Sequence, residues 1–266
     1  MSGRAPVVCL DLDGVVWRGD DPVPGSAAAV ARLQADGFVV GFMSNNSSHP
    51  VGDVVAKLSR CGIEADPAHV LTSALAAAEL LRTTLAPGAR VMVCAGPGVE
   101  EALALAGFTP VADGPVEAVV VGFHRTFDFE GLARASRAVR EGARFVATNL
   151  DPTYPVPGGL LPGAGSLVAA VRTAGGREPE VAGKPFAPSA ELVHRRLGPR
   201  GVMVGDRPTT DGDFARALGW PFALVLSGVA RPDPRPGEEP VPDPPPPFVG
   251  ADLADVAAAI SGHLQA

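Results

Sequence analysis

Two carboxylates one residue apart, Asp11 and Asp13, stand between apolar runs in VVCLDLDGVVW, with Gly14 directly after them. Acids this close repel each other unless a cation lies between them or one holds a proton. Three further groups could share such chemistry. Ser44, Asn45 and Asn46, in SNNSS, offer a hydroxyl, two amides and turning backbone N–H groups, a neutral nest for an oxyanion. Lys184 sits in Gly-Lys-Pro, where the proline favours a turn; Lys57 is the only other lysine in a chain that otherwise uses arginine. Asp206, in VMVGDRPTTDGDF, follows another apolar run, and Asp211 and Asp213 come close behind it. Taken singly, each group has an ordinary explanation: a solvated turn for the acid pair, a helix cap for Ser44, a surface position for Lys184, helix N-terminal acids for Asp211 and Asp213. Taken together they form an ordered set of acid pair, hydroxyl, lysine and acid, three of them at the mouths of apolar runs.

Those runs must be the elements that position the set. Val7–Leu10 has the length and β-branched content of a buried parallel strand, and acids in the middle of one would cost several kcal/mol, so Asp11 and Asp13 belong at its open carboxyl end. In an open α/β sheet that end is where ligands bind. Val15–Pro24, with two prolines and Gly19, reads as a loop or flap over the acid pair. Ser26 is the expected N-cap of a helix Ala27–Asp36 that Gly37 terminates. Phe38–Met43 is the next strand and Val51–Ser59 the next helix, an alternation that predicts a parallel sheet with right-handed crossovers.

The middle of the chain alternates in the same way. Leu71–Leu85, Val99–Ala106, Leu132–Arg140 and Ser166–Thr173 read as helices, Arg90–Cys94, Ala118–Gly122 and Ala143–Thr148 as strands, and Tyr154–Gly165 as loop. The first pattern then resumes with a helix Ser189–Leu197, a strand Gly201–Val204, a helix Asp211–Leu218 and a strand Pro221–Leu226. A Pro-rich surface excursion over Arg231–Pro247 precedes a closing helix, Asp252–Leu264.

Composition bounds the function. With 266 residues, 46% of them hydrophobic, the chain can build one large α/β domain or two modest ones. Its net charge of −7 leaves no electrostatic footprint for nucleic acid or an anionic membrane. A phosphate handled by so acidic a chain needs positive charge gathered locally, from a metal, a lysine and backbone N–H groups. Cys9, Cys61 and Cys94 are widely spaced and flanked by apolar residues, as reduced buried thiols are. The opening MSGRAP is unlike a signal peptide and no apolar run has the length of a membrane span, so the expected location is the cytoplasm.

The ordered set resembles the haloacid dehalogenase (HAD) superfamily of phosphotransferases: DLDGVVW its first motif, SNNSS its second, GKP its third and GDRPTTD its fourth. The chain is similar in particular to the class IIA branch, the para-nitrophenylphosphatase and phosphoglycolate or glycerol-phosphate phosphatase group, whose cap GFHRTFDFEGL and TNLDPTYPVPGGLLPGAG resemble. The resemblance implies an α/β fold, with a Rossmann-like parallel-sheet core over 1–76 and 183–266 and an inserted α/β cap over 77–182. It implies hydrolysis of a small phosphomonoester such as glycerol phosphate, phosphoglycolate or pyridoxal phosphate. Asp11 would be the nucleophile and Asp13 the acid–base. Mg²⁺ would be held by Asp11, Asp206 and the Asp13 carbonyl, and phosphate by Ser44, Asn45 and Lys184, with Asp211 orienting Lys184. Asn149, Asp151 and the Gly163–Gly165 turn are the cap groups expected to select the leaving group, while His49, His69 and His124 read as surface or packing residues. A homodimer through the cap stays open. So do two other functions: a phosphotransferase or mutase of the same superfamily, and a non-enzymatic phosphoacceptor like a receiver domain.

Overall fold

A computed structural model describes residues 4–156 and 159–265. The chain divides into two compact units, the first formed by Met1–Ser44, Val54–Leu71 and Ala190–Ala266, the second by Asn45–Asp53 and Thr72–Ser189. The second thus takes in Asn45–Asp53, 72–76 and 183–189 as well as the segment expected to form the cap.

The first unit is built on a six-stranded sheet in the order Phe248–Gly250, Phe222–Val225, Gly201–Gly205, Val7–Leu10, Val39–Ser44, Val70–Thr72. Val7–Leu10 runs parallel to both neighbours, with Leu10 opposite Val204 on one side and Phe42 on the other. All four of its residues are fully buried, as a central strand covered on both faces requires. From this strand the chain winds outward in one direction through Val39–Ser44 and later returns to wind the other way from Gly201–Gly205. The switch therefore falls between Val7–Leu10 and Gly201–Gly205, and loops leaving the two carboxyl ends diverge to open a crevice there. Helices Ser26–Ala35 and Leu253–Gln265 add Val30, Leu33, Val256 and Ile260 to the core.

The second unit has its own five-stranded sheet in the order Glu180–Val181, Arg144–Ala147, Ala118–Val121, Arg90–Cys94, Thr109–Val111. Its pairings are parallel. Helices Phe129–Arg140 and Ala164–Gly175 pack Ala135, Val139, Val168 and Val171 against Met92, Val119, Val121 and Phe145 in one buried cluster. Among the described residues no helix is long and apolar enough to cross a membrane.

Most elements lie within a residue or two of expectation, and the departures have local causes. Ser26 is not the cap of its helix. Gly25, at φ +82°, occupies that place, while Ser26 Oγ donates to the Val16 carbonyl and ties the helix to the loop after Asp13. Leu71 belongs to the strand Val70–Thr72, and the helix begins only at Ser73, where Thr72 Oγ1 accepts from Leu75 N. The expected loop Tyr154–Gly165 contains an antiparallel pair, Thr153–Val156 with Gly159–Pro162, and the next helix opens at Ala164; positions 157 and 158 of that loop lie outside the described residues. Asp211 precedes its helix, in a π-helical turn over Pro208–Gly212.

Candidate active site

In the first unit the fold assembles carboxylates at the switch point. Asp11 leaves the end of Val7–Leu10, and its N–H donates to the Val204 carbonyl, so it stands beside the end of Gly201–Gly205. Asp206 follows that strand directly. Asp211 is carried in by the π-helical turn, a distortion that re-aims a side chain at the cost of regular hydrogen bonding. One carboxylate oxygen from each of the three falls within 4.8 Å of the others, and Asp206 and Asp211 are buried. Oxygens bound to one Mg²⁺ at about 2.1 Å stand at most about 4.2 Å apart, so a small side-chain adjustment would let the trio grip a divalent cation. Carboxylates gathered this closely favour a cation among them.

Small residues make this crowding feasible. A Cβ on Gly14 would stand 2.5 Å from Asp206 Oδ2, and Cβ atoms on Gly205 and Gly228 would press into the carboxyls of Asp211 and Asp206. Gly14 also has φ +83°, in the region glycine alone adopts freely. Backbone donors aim the acids, since Val229 N–H donates to Asp206 Oδ2 (2.6 Å) and Arg207 N–H to Asp211 Oδ2 (3.1 Å). Glu239, from the Pro-rich excursion, accepts from Thr209 N (3.0 Å) and Thr209 Oγ1 (2.7 Å) and so braces the turn that carries Asp211. Ser227 Oγ donates to the Gly14 carbonyl at 2.6 Å, pinning the loop beyond Asp13. Neither Glu239 nor Ser227 has a motif around it; proline-rich composition and an ordinary serine hid both.

Asp13 is exposed and its side chain stays outside the trio; its Oδ1 accepts from the indole Nε1 of Trp17 at 3.0 Å. Asp211, expected to orient a lysine, has a carboxylate oxygen in the trio. Asp213 lies on the surface, bonded to Arg216. Ser44 ends the strand on the other side of Val7–Leu10 and is buried.

A second cluster forms within the other unit, around Asn45. Its side-chain amide pairs with the backbone of Lys184 in both directions, Oδ1 accepting from Lys184 N (2.8 Å) and Nδ2 donating to Lys184 O (3.1 Å). Nδ2 also donates to Asp151 Oδ2 (3.1 Å). The Asn45 carbonyl in turn accepts from Asn149 Nδ2 and Ser73 Oγ, both at 2.7 Å, and Asp151 N–H donates to Asn149 Oδ1 (3.0 Å). Gly183 lets this happen, since a Cβ there would stand 2.7 Å from Asn45 Oδ1. The structure thus joins Asn45, Asn149, Asp151 and Lys184 in one network, with Asn149 and Lys184 buried. Gly163 and Gly165 serve close backbone approach to Leu150 and Asp151, where any side chain would collide.

Among the described residues, neither His49 nor His124 shows a catalytic pairing. His49 makes an exposed i,i+4 contact with Asp53. His124 Nε2 stands 3.8 Å from Cys94 Sγ, but burial pushes the thiol up to about 11 and holds the imidazole below its ordinary value, the reverse of an activated pair. Cys9, Cys61 and Cys94 are buried and outside any disulfide.

An acid trio at the switch point of a parallel sheet is suited to holding a divalent cation, and the sequence relatives say in which class of protein it does so. Two sequence families match: haloacid dehalogenase-like hydrolase over residues 8–109 and HAD-hydrolase-like over 181–256. The chain belongs to the haloacid dehalogenase-like hydrolases. It is 43% identical over 225 residues to a D-glycerol 3-phosphate phosphatase of Mycobacterium tuberculosis, an alignment covering 83% of this chain and 62% of that protein's length. It is 39% identical to human chronophin, over 86% of this chain and 83% of chronophin. The crystal structure of a glycerol phosphate phosphatase from M. tuberculosis in complex with magnesium superposes with a TM-score of 0.84 at 37% identity, covering 95% of this chain and 77% of that one.

Proposed function

We propose that the chain is a Mg²⁺-dependent phosphatase that hydrolyses a small phosphomonoester, such as glycerol phosphate, phosphoglycolate or pyridoxal phosphate, through an aspartyl-phosphate. The observation that carries this reading is the convergence of Asp11, Asp206 and Asp211 within 4.8 Å at the sheet's switch point. In this reading residues 1–76 and 183–266 act as the catalytic core and 77–182 as the cap. A bound Mg²⁺, held by Asp11, Asp206 and the Asp13 carbonyl with Asp211 alongside, would neutralise charge on the phosphoryl group.

The chain's own groups then divide the work. A carboxylate oxygen of Asp11 attacks phosphorus; the new O–P bond forms as the bond to the leaving oxygen breaks, and Asp13 gives that oxygen its proton. Asp13 next takes a proton from water, whose oxygen attacks the aspartyl-phosphate and releases inorganic phosphate and the Asp11 carboxylate. Ser44, the Asn45 backbone amide and Lys184 hold the remaining phosphate oxygens. Asn45's side chain, engaged with the Lys184 backbone, acts by holding that lysine in place. Asn149 and Asp151 support the same network, which favours a part in shaping the site over direct selection of the leaving group. Net charge of −7 and buried cysteines outside any disulfide fit a cytoplasmic enzyme of small metabolites, with a homodimer through the cap as its candidate assembly.

The test is release of inorganic phosphate from a panel of phosphomonoesters by the purified chain with Mg²⁺. Release is expected, and EDTA or Asp11→Asn should abolish it. No release from any ester, or full activity in Asp11→Asn, refutes the reading.

A further inference from the structure

The loop beyond Asp13 carries a contact that its acid–base role does not explain. Trp17 is buried to 4% exposure, yet its indole Nε1 reaches Asp13 Oδ1 at 3.0 Å. The segment between them is tightly closed: Trp17 N donates to Leu12 O (3.2 Å), Gly14 N donates to Trp17 O (2.7 Å), and Val15 and Val16 are fully buried. From the outer side Lys57 clamps the ring. Its Nζ lies 4.3 Å from the indole centroid, donates to the Gly19 carbonyl at 2.7 Å and stands 4.0 Å from Asp20. One of only two lysines in the chain is thus spent on holding one tryptophan.

We propose that Trp17 is a positioning residue for Asp13: its indole N–H holds Oδ1, so that the proton passed to the leaving oxygen travels on Oδ2, and Lys57 fixes Trp17 for the task. The inference rests on the hydrolase reading above. An indole can only donate. Oδ1 therefore accepts in both charge states of Asp13, and because a carbonyl oxygen accepts better than a hydroxyl oxygen, the contact biases the transferable proton toward Oδ2. Without that donor the carboxyl torsion is broad and nearly two-fold, and the proton is shared between two oxygens of which one faces the substrate. The cation over the ring face and the Gly19 carbonyl on the same ammonium hold the indole plane, and with it the direction of the N–H.

Such a role has a signature that loop support alone lacks. Proton delivery matters most when the departing oxygen is strongly basic, as an alkoxide is, and little when it leaves as a stabilised phenolate. The experiment compares glycerol 3-phosphate with p-nitrophenyl phosphate in the Mg²⁺-loaded chain, measuring kcat and KM for each in wild type, Trp17→Phe and Lys57→Met. In Trp17→Phe, kcat for glycerol 3-phosphate is expected to fall about tenfold further than kcat for p-nitrophenyl phosphate, the loss expected of one hydrogen bond to a charged group. KM for the two esters should move together. Lys57→Met should shift the same ratio in the same direction by a smaller factor, and this exposed-side change carries the test if Trp17→Phe does not fold. Equal losses on both esters in a folded Trp17→Phe, or an unchanged ratio in Lys57→Met where that variant alone folds, overturn the proposal and leave the hydrolase reading intact. Where another alkyl ester of the panel is the better substrate it takes the place of glycerol 3-phosphate, and a wild-type chain inert toward every ester overturns the hydrolase reading and the Trp17 role with it.

Discussion

Gly14 and Gly37 form a controlled pair, because their φ angles are nearly the same, +83° and +88°, while their surroundings differ. A Cβ on Gly37 meets nothing within 4 Å, whereas one on Gly14 stands 2.5 Å from Asp206 Oδ2, 2.6 Å from its Cγ and 2.9 Å from Gly228 Cα. Alanine at either position pays about 1–2 kcal/mol for the left-handed backbone. Gly37→Ala should lose only that, a fall in Tm of roughly 2–4 °C at ~2 °C per kcal/mol for a chain of this length. Gly14→Ala adds an overpacking cost of about 1–3 kcal/mol, since the nearest atoms include backbone and a carboxylate fixed by the Val229 N–H. Its Tm should fall roughly 2–6 °C further. The larger consequence is for the metal. Mg²⁺ at a hundred times its Kd should stabilise wild type and Gly37→Ala by about 2.7 kcal/mol, some ~5 °C in Tm. With Asp206 displaced, that increment should shrink sharply in Gly14→Ala. Differential scanning calorimetry with and without Mg²⁺ reads both effects. Equal losses in the two variants, or an intact Mg²⁺ increment in Gly14→Ala, would show that Gly14 does not make room for Asp206.

Asp13→Ala should lower kcat by about 10²–10⁴-fold while Mg²⁺ affinity, measured by calorimetric titration, is largely kept; a loss mainly of metal binding would contradict the acid–base role. Asn45→Ala removes both hydrogen bonds that bracket the Lys184 backbone, so inhibition by inorganic phosphate should weaken by roughly 5–150-fold, from about 1–3 kcal/mol for the pair. An unchanged inhibition constant would mean that Lys184 needs no such support. Cys94 is held at about 11 by burial, against 9.0 for an ordinary thiol. The unfolded chain therefore loses this proton first, so the contribution is fully present below pH 9 and is lost as pH rises toward 11. Denaturant titrations across that range should show the loss in wild type and a smaller one in Cys94→Ala.

Asp11 and Asp206, two members of the acid trio, stand out in the sequence because they sit at abrupt changes of character. Asp11 and Asp206 each end an apolar run, and a carboxylate in that place has no good home except the open end of a buried strand. Lys184 stands out in the sequence through rarity and its proline. The supports were another matter. Trp17 looks like any apolar residue of a flap, Ser227 like any loop serine, and Glu239 is lost among prolines; what each does depends on a partner far away in the chain or on an angle that no spacing records. Asn149 and Asp151 were found as polar groups at a strand end, but their partner is Asn45, more than a hundred positions earlier, and local pattern cannot supply that. The helix at Asp211 was misjudged at its start because acids before a helix look like caps, and the π-helical turn that turns Asp211 inward has no compositional signature.

The pairing of Leu10 with Val204 also sets a timetable. Asp11 follows the earlier of the two strands, yet the neighbouring strand and the acids of its loop come 194 positions later, counted from Leu10 to Val204. Contacts so distant in sequence form slowly and only after the loop between them is closed. During synthesis Asp11 must wait with both other acids of the trio unmade while the intervening second unit, whose sheet pairs strands close in sequence, can already condense. Metal capture, and with it any activity, becomes a report that the last third of the chain has arrived and found its place beside the first strand.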